Sequence, residues 1–396
     1  MWEAGELAIS FLPSVFPQRQ TEFVVRTCAN RGLRMNRLQF RSLDAGLLGI
    51  LLLMLSIAVP VGWSRQTTSG EAPEQNANQS AGNGAADSKI TKEDWSSLSL
   101  NSSNLHASPP LLGEKDSYPD FTRELLQVQW RSEDPIDLYV ILPKGVKNPP
   151  VILYLYSYPS DTDTFLDPGF CKLVTKNGFA AVGFVSALTG HRYHDRPMRE
   201  WFISELQESL ATSVHDVQMI LDYLATRGDL DMDHVGMFGE GSGATIAILT
   251  ATVEPRLKVL DLLDPWGDWP DWLARSSLIP KEERADYLKP EFLKQVELLE
   301  PIKWLPQLQS RTLRVQDALY DKVTPSTAKK RIESAMPASA QIVRYKHSQA
   351  LGNVASEGKF FDWVKERVRP AVAGEPTVRV EMGTKLGPPA AVQSNR

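Results

Sequence analysis

The chain contains short apolar runs, rich in branched and aromatic residues, separated by polar and helix-forming stretches. The run at 151–158 is apolar at most positions, which is typical of a strand buried on both faces of a sheet. Other strands are predicted at 125–130, 136–143, 179–185, 235–238, 257–263, 312–316 and 340–346. Apolar residues at helical spacing predict helices at 214–224 and 360–368. Strands that alternate with helices predict an α/β fold, with a mostly parallel sheet and helices on both faces.

The N-terminal part of the chain is predicted to lie outside this fold. Residues 45–63 are 19 residues without a charge, preceded by basic residues. A run of that length can span a bilayer, and the basic flank favours a cytoplasmic N-terminal side. The run also fits a secretory signal cut after Ser64, and a buried core helix is a third interpretation. Residues 1–44 form an N-terminal extension, in which we interpret Met35 as the true start.

Two further segments lack the apolar residues that a core needs. Residues 64–117 are rich in Ser, Asn, Gly, Ala, Gln and Pro, and are predicted to be a disordered linker. Residues 371–396 have a similar character and are predicted to be a disordered tail. The folded domain is therefore predicted at 118–370.

Composition excludes several classes of protein. The net charge of −5 gives no reason to expect nucleic-acid binding. The only cysteines are Cys28 and Cys171, and Cys28 lies outside the predicted domain, so no disulfide framework is expected within it. No motif for a cofactor is found, and none is predicted.

The most informative motif follows the predicted strand at 235–238. It reads Gly-Glu-Gly-Ser-Gly over residues 239–243, ahead of an apolar helix. A strand, a glycine-rich turn and a helix form the setting of a nucleophile elbow, G-x-S-x-G. Gly239 and Gly243 fit the two flanking positions, which puts Gly241 at the nucleophile position. The alternative is a turn shifted by one residue, with Ser242 as the nucleophile.

This order of elements resembles the α/β-hydrolase superfamily, nearer its dienelactone-hydrolase and prolyl-oligopeptidase-like branches. The resemblance covers roughly 121–369 and is most specific at 213–244 and 313–325. It implies a small cap insertion over the pocket and a catalytic Asp321, in the context D-x-V-x-P. It also implies a histidine in the loop after the next strand, where His347 lies about two residues early.

The resemblance leaves two functions open. One is a serine hydrolase, an esterase or a peptidase of the prolyl-oligopeptidase type, with Ser242, Asp321 and His347 as its catalytic residues. The other is a protein of the same fold in which Gly241 replaces the nucleophile and which acts as a binding or scaffold module. A serine attacks only when a histidine takes its proton and a carboxylate orients that histidine. The elbow pattern favours the second function, outside the cytoplasm.

Partners are predicted only in general terms. A small molecule or a peptide is expected in the pocket under the cap, and a membrane is expected at 45–63 if that segment is not cleaved. The tryptophans Trp266, Trp269 and Trp272 either line a binding cleft or anchor the cap to the core.

The loop after the strand at 179–185 carries residue types that bind metals or anions. Candidate metal ligands are His191, His194 and Asp195, and candidate anion ligands are Arg192, Arg196 and Arg199. No matching cluster of metal ligands occurs elsewhere, so no metal site is predicted. Ion pairs that fix the loop are the alternative role for the arginines.

Overall fold

A nine-stranded sheet organises the part of the chain that the computed structural model describes, which is residues 93–103, 105, 109–131, 134–160, 162–189, 192 and 201–369. Its order is β1-β2-β3-β5-β4-β6-β7-β8-β9. The strands are β1 (Leu111–Ser117), β2 (Phe121–Val128), β3 (Ile136–Pro143), β4 (Pro150–Leu155), β5 (Ala180–Phe184), β6 (Asp231–Glu240), β7 (Leu257–Leu263), β8 (Thr312–Ala318) and β9 (Gln341–Tyr345).

The direction of the strands divides the sheet into two parts. Strands β1, β2, β3 and β5 pair antiparallel, whereas β5, β4, β6, β7, β8 and β9 pair parallel. The carboxyl ends of the parallel strands meet at one edge, where α/β proteins bind ligands. The predicted α/β class and mostly parallel sheet are confirmed.

Helices cover both faces of this sheet. They are α1 (Pro168–Thr175), α2 (Leu206–Arg227), α3 (Ser242–Val253), α4 (Trp269–Arg275), α5 (Arg284–Tyr287), α6 (Pro290–Gln295), α7 (Pro301–Trp304), α8 (Ser326–Ala335), α9 (Ser348–Ser356) and α10 (Asp362–Val368). One core cluster contains the buried side chains of α2 and α3, and a second contains those of α1 and α10. Because both faces are covered, the inner strands are apolar on successive positions.

The folded part begins earlier than the sequence predicts. The prediction of a linker through residue 117 is wrong for 111–117, because β1 pairs with β2 along its whole length. It is also wrong for the segment 93–103, where Leu98 is buried in the core beside α2 and α3. The sequence pattern did not predict either segment, because both are mostly polar. An edge strand and a segment that crosses the protein surface need few apolar residues. The remainder of the predicted linker, the extension, the run at 45–63 and the tail lie outside the described residues.

Buried ion pairs hold the early segment and one loop arginine. Arg131 donates two hydrogen bonds to the carboxylate of Glu93, at 2.5 and 2.7 Å, and also pairs with Asp216 on α2. Arg192 donates to Asp134 at 2.8 Å and to Asp216 at 2.5 Å, and all three of these side chains are almost fully buried. Of the two roles considered for Arg192, the structure therefore favours fixing the loop over anion binding.

Neither a membrane-spanning helix nor a metal site is found among the described residues. They contain no helix that is both long and apolar enough to cross a bilayer, and no group of three or more potential metal ligands. The candidate ligands His191, His194 and Asp195, with Arg196 and Arg199, lie outside the described residues.

We expect a fragment of residues 93–369 to be more stable than a fragment of residues 118–369. The shorter fragment lacks β1, the buried side chain of Leu98 and the carboxylate of Glu93. Arg131 keeps its pair with Asp216, so loss of its charged hydrogen bonds to Glu93 costs about 1.5–3 kcal/mol, and loss of the buried Leu98 adds about 1.5–3 kcal/mol. For a domain of this size the difference corresponds to a melting temperature lower by roughly 10 °C. Thermal unfolding followed by circular dichroism measures it.

Glu93→Gln in the longer fragment tests the ion pair alone and should lower the melting temperature. Glu297→Gln, which removes an exposed pair with Lys303, is the matched control and should change little. Equal melting temperatures for the two fragments would show that residues 93–117 are not part of the cooperative fold.

Candidate active site

The turn between β6 and α3 has the backbone of a nucleophile elbow. Strand β6 ends at Glu240 and helix α3 begins at Ser242. Between them Gly241 has φ 52° and ψ −114°. Residues with a side chain rarely adopt this conformation, whereas glycine adopts it without a steric penalty. The structure thus places Gly241 at the sharp turn and Ser242 in the first turn of the helix.

The flanking glycines are required by the closeness of the backbones. A Cβ atom at Gly239 would lie 2.5 Å from the carbonyl oxygen of Gly243. A Cβ atom at Gly243 would lie 2.1 Å from the carbonyl oxygen of Leu155 on β4. These are contacts with backbone atoms, which cannot rotate away. They fix the register of the turn, with Gly241 midway between the two glycines.

Another side chain fills the space above Gly241. A Cβ atom on Gly241 would lie 2.2 Å from Oγ and 2.8 Å from Cβ of Ser157, which follows β4. It would also lie 3.0 Å from Nε1 of Trp266, which follows β7. The space that a nucleophile's side chain would need is therefore occupied by Ser157.

Ser242 has its hydroxyl in the protein interior. Its side chain is fully buried, and its Oγ accepts a hydrogen bond from the backbone N–H of Tyr158 at 2.9 Å. Its own backbone N–H donates to Oγ of Ser157 at 3.4 Å. In a hydrolase elbow, an oxyanion is bound by the N–H after the nucleophile and by an N–H from the loop after β4. Here both N–H groups donate to serine hydroxyls.

Asp321 lies in the turn after β8, as the sequence predicts, and its carboxylate has partners within its own turn. The two oxygens accept hydrogen bonds from the backbone N–H groups of Val323, at 3.1 Å, and Thr324, at 3.0 Å. The ammonium group of Lys329 on α8 lies 3.5 Å away. The carboxylate is thus compensated by the turn that leads into α8 and by one lysine.

His347 lies at the exposed surface, at the residue that precedes α9. Its imidazole makes no hydrogen bond to any described residue, and within the described part of the chain no hydrogen bond or ion pair joins it to Asp321. The structure therefore brings Ser242, Asp321 and His347 to the same edge of the sheet without linking them in a triad.

One acidic residue and one lysine at this edge, Asp264 and Lys329, were missed by sequence reasoning. Asp264 follows β7, and its carboxylate pairs with the buried ammonium group of Lys329 and accepts from the backbone N–H of Ala318 at 2.9 Å. Burial raises the pKa of Asp264 to about 6. A signal for Asp264 was present, because a polar residue directly after a parallel strand faces the ligand-binding edge. Lys329 gave none, since it is 65 residues away in sequence.

Glu240 is the last residue of β6 and lies directly before the elbow. Its half-buried carboxyl makes no hydrogen bond or ion pair with any described residue. Burial raises the pKa of Glu240 to about 7, with smaller contributions from the charges of Asp264 and Asp321. The charge of this carboxyl therefore changes near neutral pH.

The tryptophan cluster anchors the cap, which is the segment 264–311 between β7 and β8 that contains α4 to α7. Trp266, Trp269 and Trp272 are at most 1% exposed, and Trp269 donates through Nε1 to the carbonyl oxygen of Leu299 at 2.9 Å. The rings of Trp266 and Trp272 lie 4.8 Å apart, and those of Trp269 and Trp272 lie 5.6 Å apart. Of the two roles considered for these tryptophans, the structure supports the anchor, since buried rings present no cleft to a ligand.

Comparison with known proteins identifies the fold. No family profile and no curated protein sequence matches this chain. Among solved structures, an acetyl xylan esterase from Paenibacillus sp. R4 superposes with a TM-score of 0.52 at 15% identity, over 69% of this chain and 92% of the other. Acetyl xylan esterase 1 from Thermoanaerobacterium sp. JW/SL YS485 gives 0.51 at 14% identity, over 69% and 90%. The protein has the α/β-hydrolase fold, as the sequence predicts.

The variant Glu240→Gln should gain stability relative to the unchanged protein as the pH rises. A carboxyl whose pKa is raised by folding stays protonated in the folded state, whereas it ionises in the unfolded chain from about pH 4.5. Its contribution is present below that pH and is lost as the pH rises to about 7. The variant has no such loss, so its advantage should grow by about 2–3 kcal/mol between pH 5 and pH 8.

Urea unfolding at the two pH values measures this difference. Glu291→Gln, at an exposed position of α6, is the control for removal of a carboxylate and should stay within about 0.5 kcal/mol at both. An advantage of Glu240→Gln that is equal at pH 5 and pH 8 would contradict the pKa assigned to Glu240.

Proposed function

We infer that this α/β-hydrolase-fold protein has no serine-hydrolase chemistry at its elbow and acts by binding. Covalent catalysis needs an attacking side chain, and Gly241 has none. The observation that carries the proposal is the position of Ser157, whose hydroxyl lies 2.2 Å from the point where a Cβ atom of residue 241 would stand. A site kept for attack would leave that space to the nucleophile.

The alternative is a serine hydrolase that uses Ser242 with Asp321 and His347. Three observations argue against it. Ser242 is fully buried, with its hydroxyl accepting from Tyr158. The carboxylate of Asp321 accepts from two N–H groups of its own turn, and the imidazole of His347 is exposed. A base must lie within hydrogen-bond reach of the proton that it removes, and no described contact supplies one for Ser242.

The names of the structural neighbours leave this proposal open. The two superposed proteins are esterases by name, but likeness at 14–15% identity concerns the fold. One fold hosts many functions, so the chemistry has to be argued from the site. At this site the backbone has the shape of an elbow, with a glycine at the nucleophile position. Serine hydroxyls accept the hydrogen bonds from the N–H groups of Tyr158 and Ser242.

We also propose that the protein works outside the cytoplasm, either secreted or held at a membrane. The support is the uncharged run at 45–63 with basic residues before it. The polar stretch that follows would act as a tether between this run and the folded part. The ligand would be a small molecule or a peptide.

Wild-type protein should not react with a fluorophosphonate serine probe, and Ser242→Ala should not change that result. The physical reason is that the hydroxyl of Ser242 is buried and that no described side chain within hydrogen-bond distance can take its proton. Labelling is read by in-gel fluorescence, with an active esterase as the positive control. Labelling of the wild-type protein that disappears in Ser242→Ala would return the chain to the working serine hydrolases.

A double-mutant cycle tests the position of Ser157 directly. Gly241→Ser alone should destabilise the protein, because its Cβ collides with Ser157 and its backbone is strained, at about 1–3 kcal/mol for the strain. Adding Ser157→Gly removes the collision and should recover part of the loss. The interaction energy of the pair should be about 1–3 kcal/mol and favourable, measured by urea unfolding. Additive effects would mean that Ser157 does not fill the nucleophile position.

Location is tested by a fusion. Residues 35–117 joined to alkaline phosphatase, which is active only after export from the bacterial cytoplasm, should give active enzyme. A second fusion that lacks residues 45–63 is the control and should be inactive. Equal activity of the two fusions would reject the export role of this run.

A further inference from the structure

A groove separate from the elbow lies between the start of α2 and the cap helices α5 and α6. Its volume is about 510 Å³. The residues that line it are Trp201, Ser204, Glu283, Asp286, Tyr287 and Phe292. Nothing in the elbow chemistry uses these side chains, so the groove is a site of its own.

Aromatic rings form the walls of this groove. Trp201 and Phe292 are both half-buried, so each keeps part of its surface open to the groove. The ring of Tyr287 lies between them, with centroids 6.3 Å from Trp201 and 5.3 Å from Phe292. The three rings are tilted by 51–57° to their neighbours, which makes a curved wall rather than a flat stack.

Among the described residues that line the groove, the charged side chains are carboxylates. Glu283 and Asp286 line it, and no described lining residue is Lys or Arg. The neighbouring Arg284 donates to the carbonyl oxygens of Ile279, at 3.2 Å, and Ser276, at 3.0 Å, so its charge is engaged with the cap backbone. The ammonium group of Lys289 lies 2.6 Å from the carboxylate of Asp286 and neutralises its charge. Glu283 has no cationic partner among the described residues.

Glu283 is also held in place. Its Oε2 accepts a hydrogen bond from the hydroxyl of Tyr287 at 2.7 Å, and that hydroxyl lies 3.3 Å from Oγ of Ser204. Its Oε1 makes no hydrogen bond to any described residue. A fixed carboxylate with one open oxygen, set beside aromatic rings, attracts a cation through its charge and through the negative faces of the rings.

We propose that this groove binds an organic cation, an ammonium or guanidinium head group carried by a small molecule or by a peptide side chain. Glu283 supplies the opposite charge, and Trp201 and Phe292 contact the apolar surface of the head group. The carboxylate of Glu283 disfavours an anionic ligand through like-charge repulsion. This binding does not depend on the state of the elbow, so it stands or falls separately from the loss of serine chemistry.

Titration of the full-length protein with choline and with 3,3-dimethylbutan-1-ol tests the proposal, since the two have nearly the same shape and differ in charge. By isothermal titration calorimetry, choline should bind about 10-fold more tightly than the neutral alcohol. Glu283→Gln and Trp201→Ala should each weaken choline binding about 5-fold or more, as expected for loss of a cation–carboxylate or cation–ring contact. Trp201→Phe keeps a ring face and should recover most of the affinity.

Glu291→Gln is the matched control, because Glu291 is an exposed carboxylate on α6 outside the groove lining, and it should bind choline as the wild type does. A second arm uses a short peptide with one arginine. Tighter binding of the peptide assigns the head group to a protein partner, and tighter binding of choline assigns it to a small molecule.

The proposal is overturned if the alcohol binds as tightly as choline, or if Glu283→Gln and Glu291→Gln weaken binding equally. Absence of binding by both choline and the peptide also overturns it. The fluorophosphonate assay reports on the elbow alone, so a failure here leaves the conclusion on serine chemistry unchanged, and the reverse holds as well.

Discussion

The close approach of helix α3 to strands β4 and β6 is the constraint on which the site depends. Gly243 lies against the carbonyl oxygen of Leu155, and Gly239 lies against Gly243 and Ala244, in each case with no room for a Cβ atom. Protein interiors are packed closely enough that such backbone contacts relax little. The position of residue 241 is therefore set by its two neighbours, whatever its own side chain is. The shape of the turn therefore does not depend on a side chain at residue 241.

The charges at the carboxyl edge show how the buried carboxylate of Asp321 is stabilised. A buried carboxylate without a partner carries a large desolvation cost. Asp321 avoids that cost through two N–H groups of its turn and through Lys329, which also pairs with Asp264. No histidine is needed for this balance. Glu240 has no such compensation, and the cost appears as a raised pKa of its carboxyl.

Local sequence patterns predicted the inner strands and the elbow. They did not predict features that depend on contacts between residues far apart in the chain. The run at 151–158 and the motif at 239–243 carry their own signal, because burial on both faces and a tight turn each restrict the residues that fit. Strand β1 is exposed along most of its length, so its sequence has no apolar pattern to detect. The position of Ser157 above Gly241 joins residues 84 apart in the chain, which no local spacing can indicate.

On the proposed binding function, backbone strain connects the glycine at position 241 with the retention of the turn. A residue with a Cβ atom at φ 52° and ψ −114° costs on the order of 1–3 kcal/mol, which a hydrolase sustains because attack requires it. Gly241 carries no such cost, and the hydroxyls of Ser242 and Ser157 accept hydrogen bonds from the backbone N–H groups of Tyr158 and Ser242. Both of these N–H groups therefore have a hydrogen-bond acceptor within the turn and the loop after β4. On the proposed binding function, recognition belongs to the loops and cap that the rigid sheet holds in place, where the groove beside Trp201 and Glu283 lies.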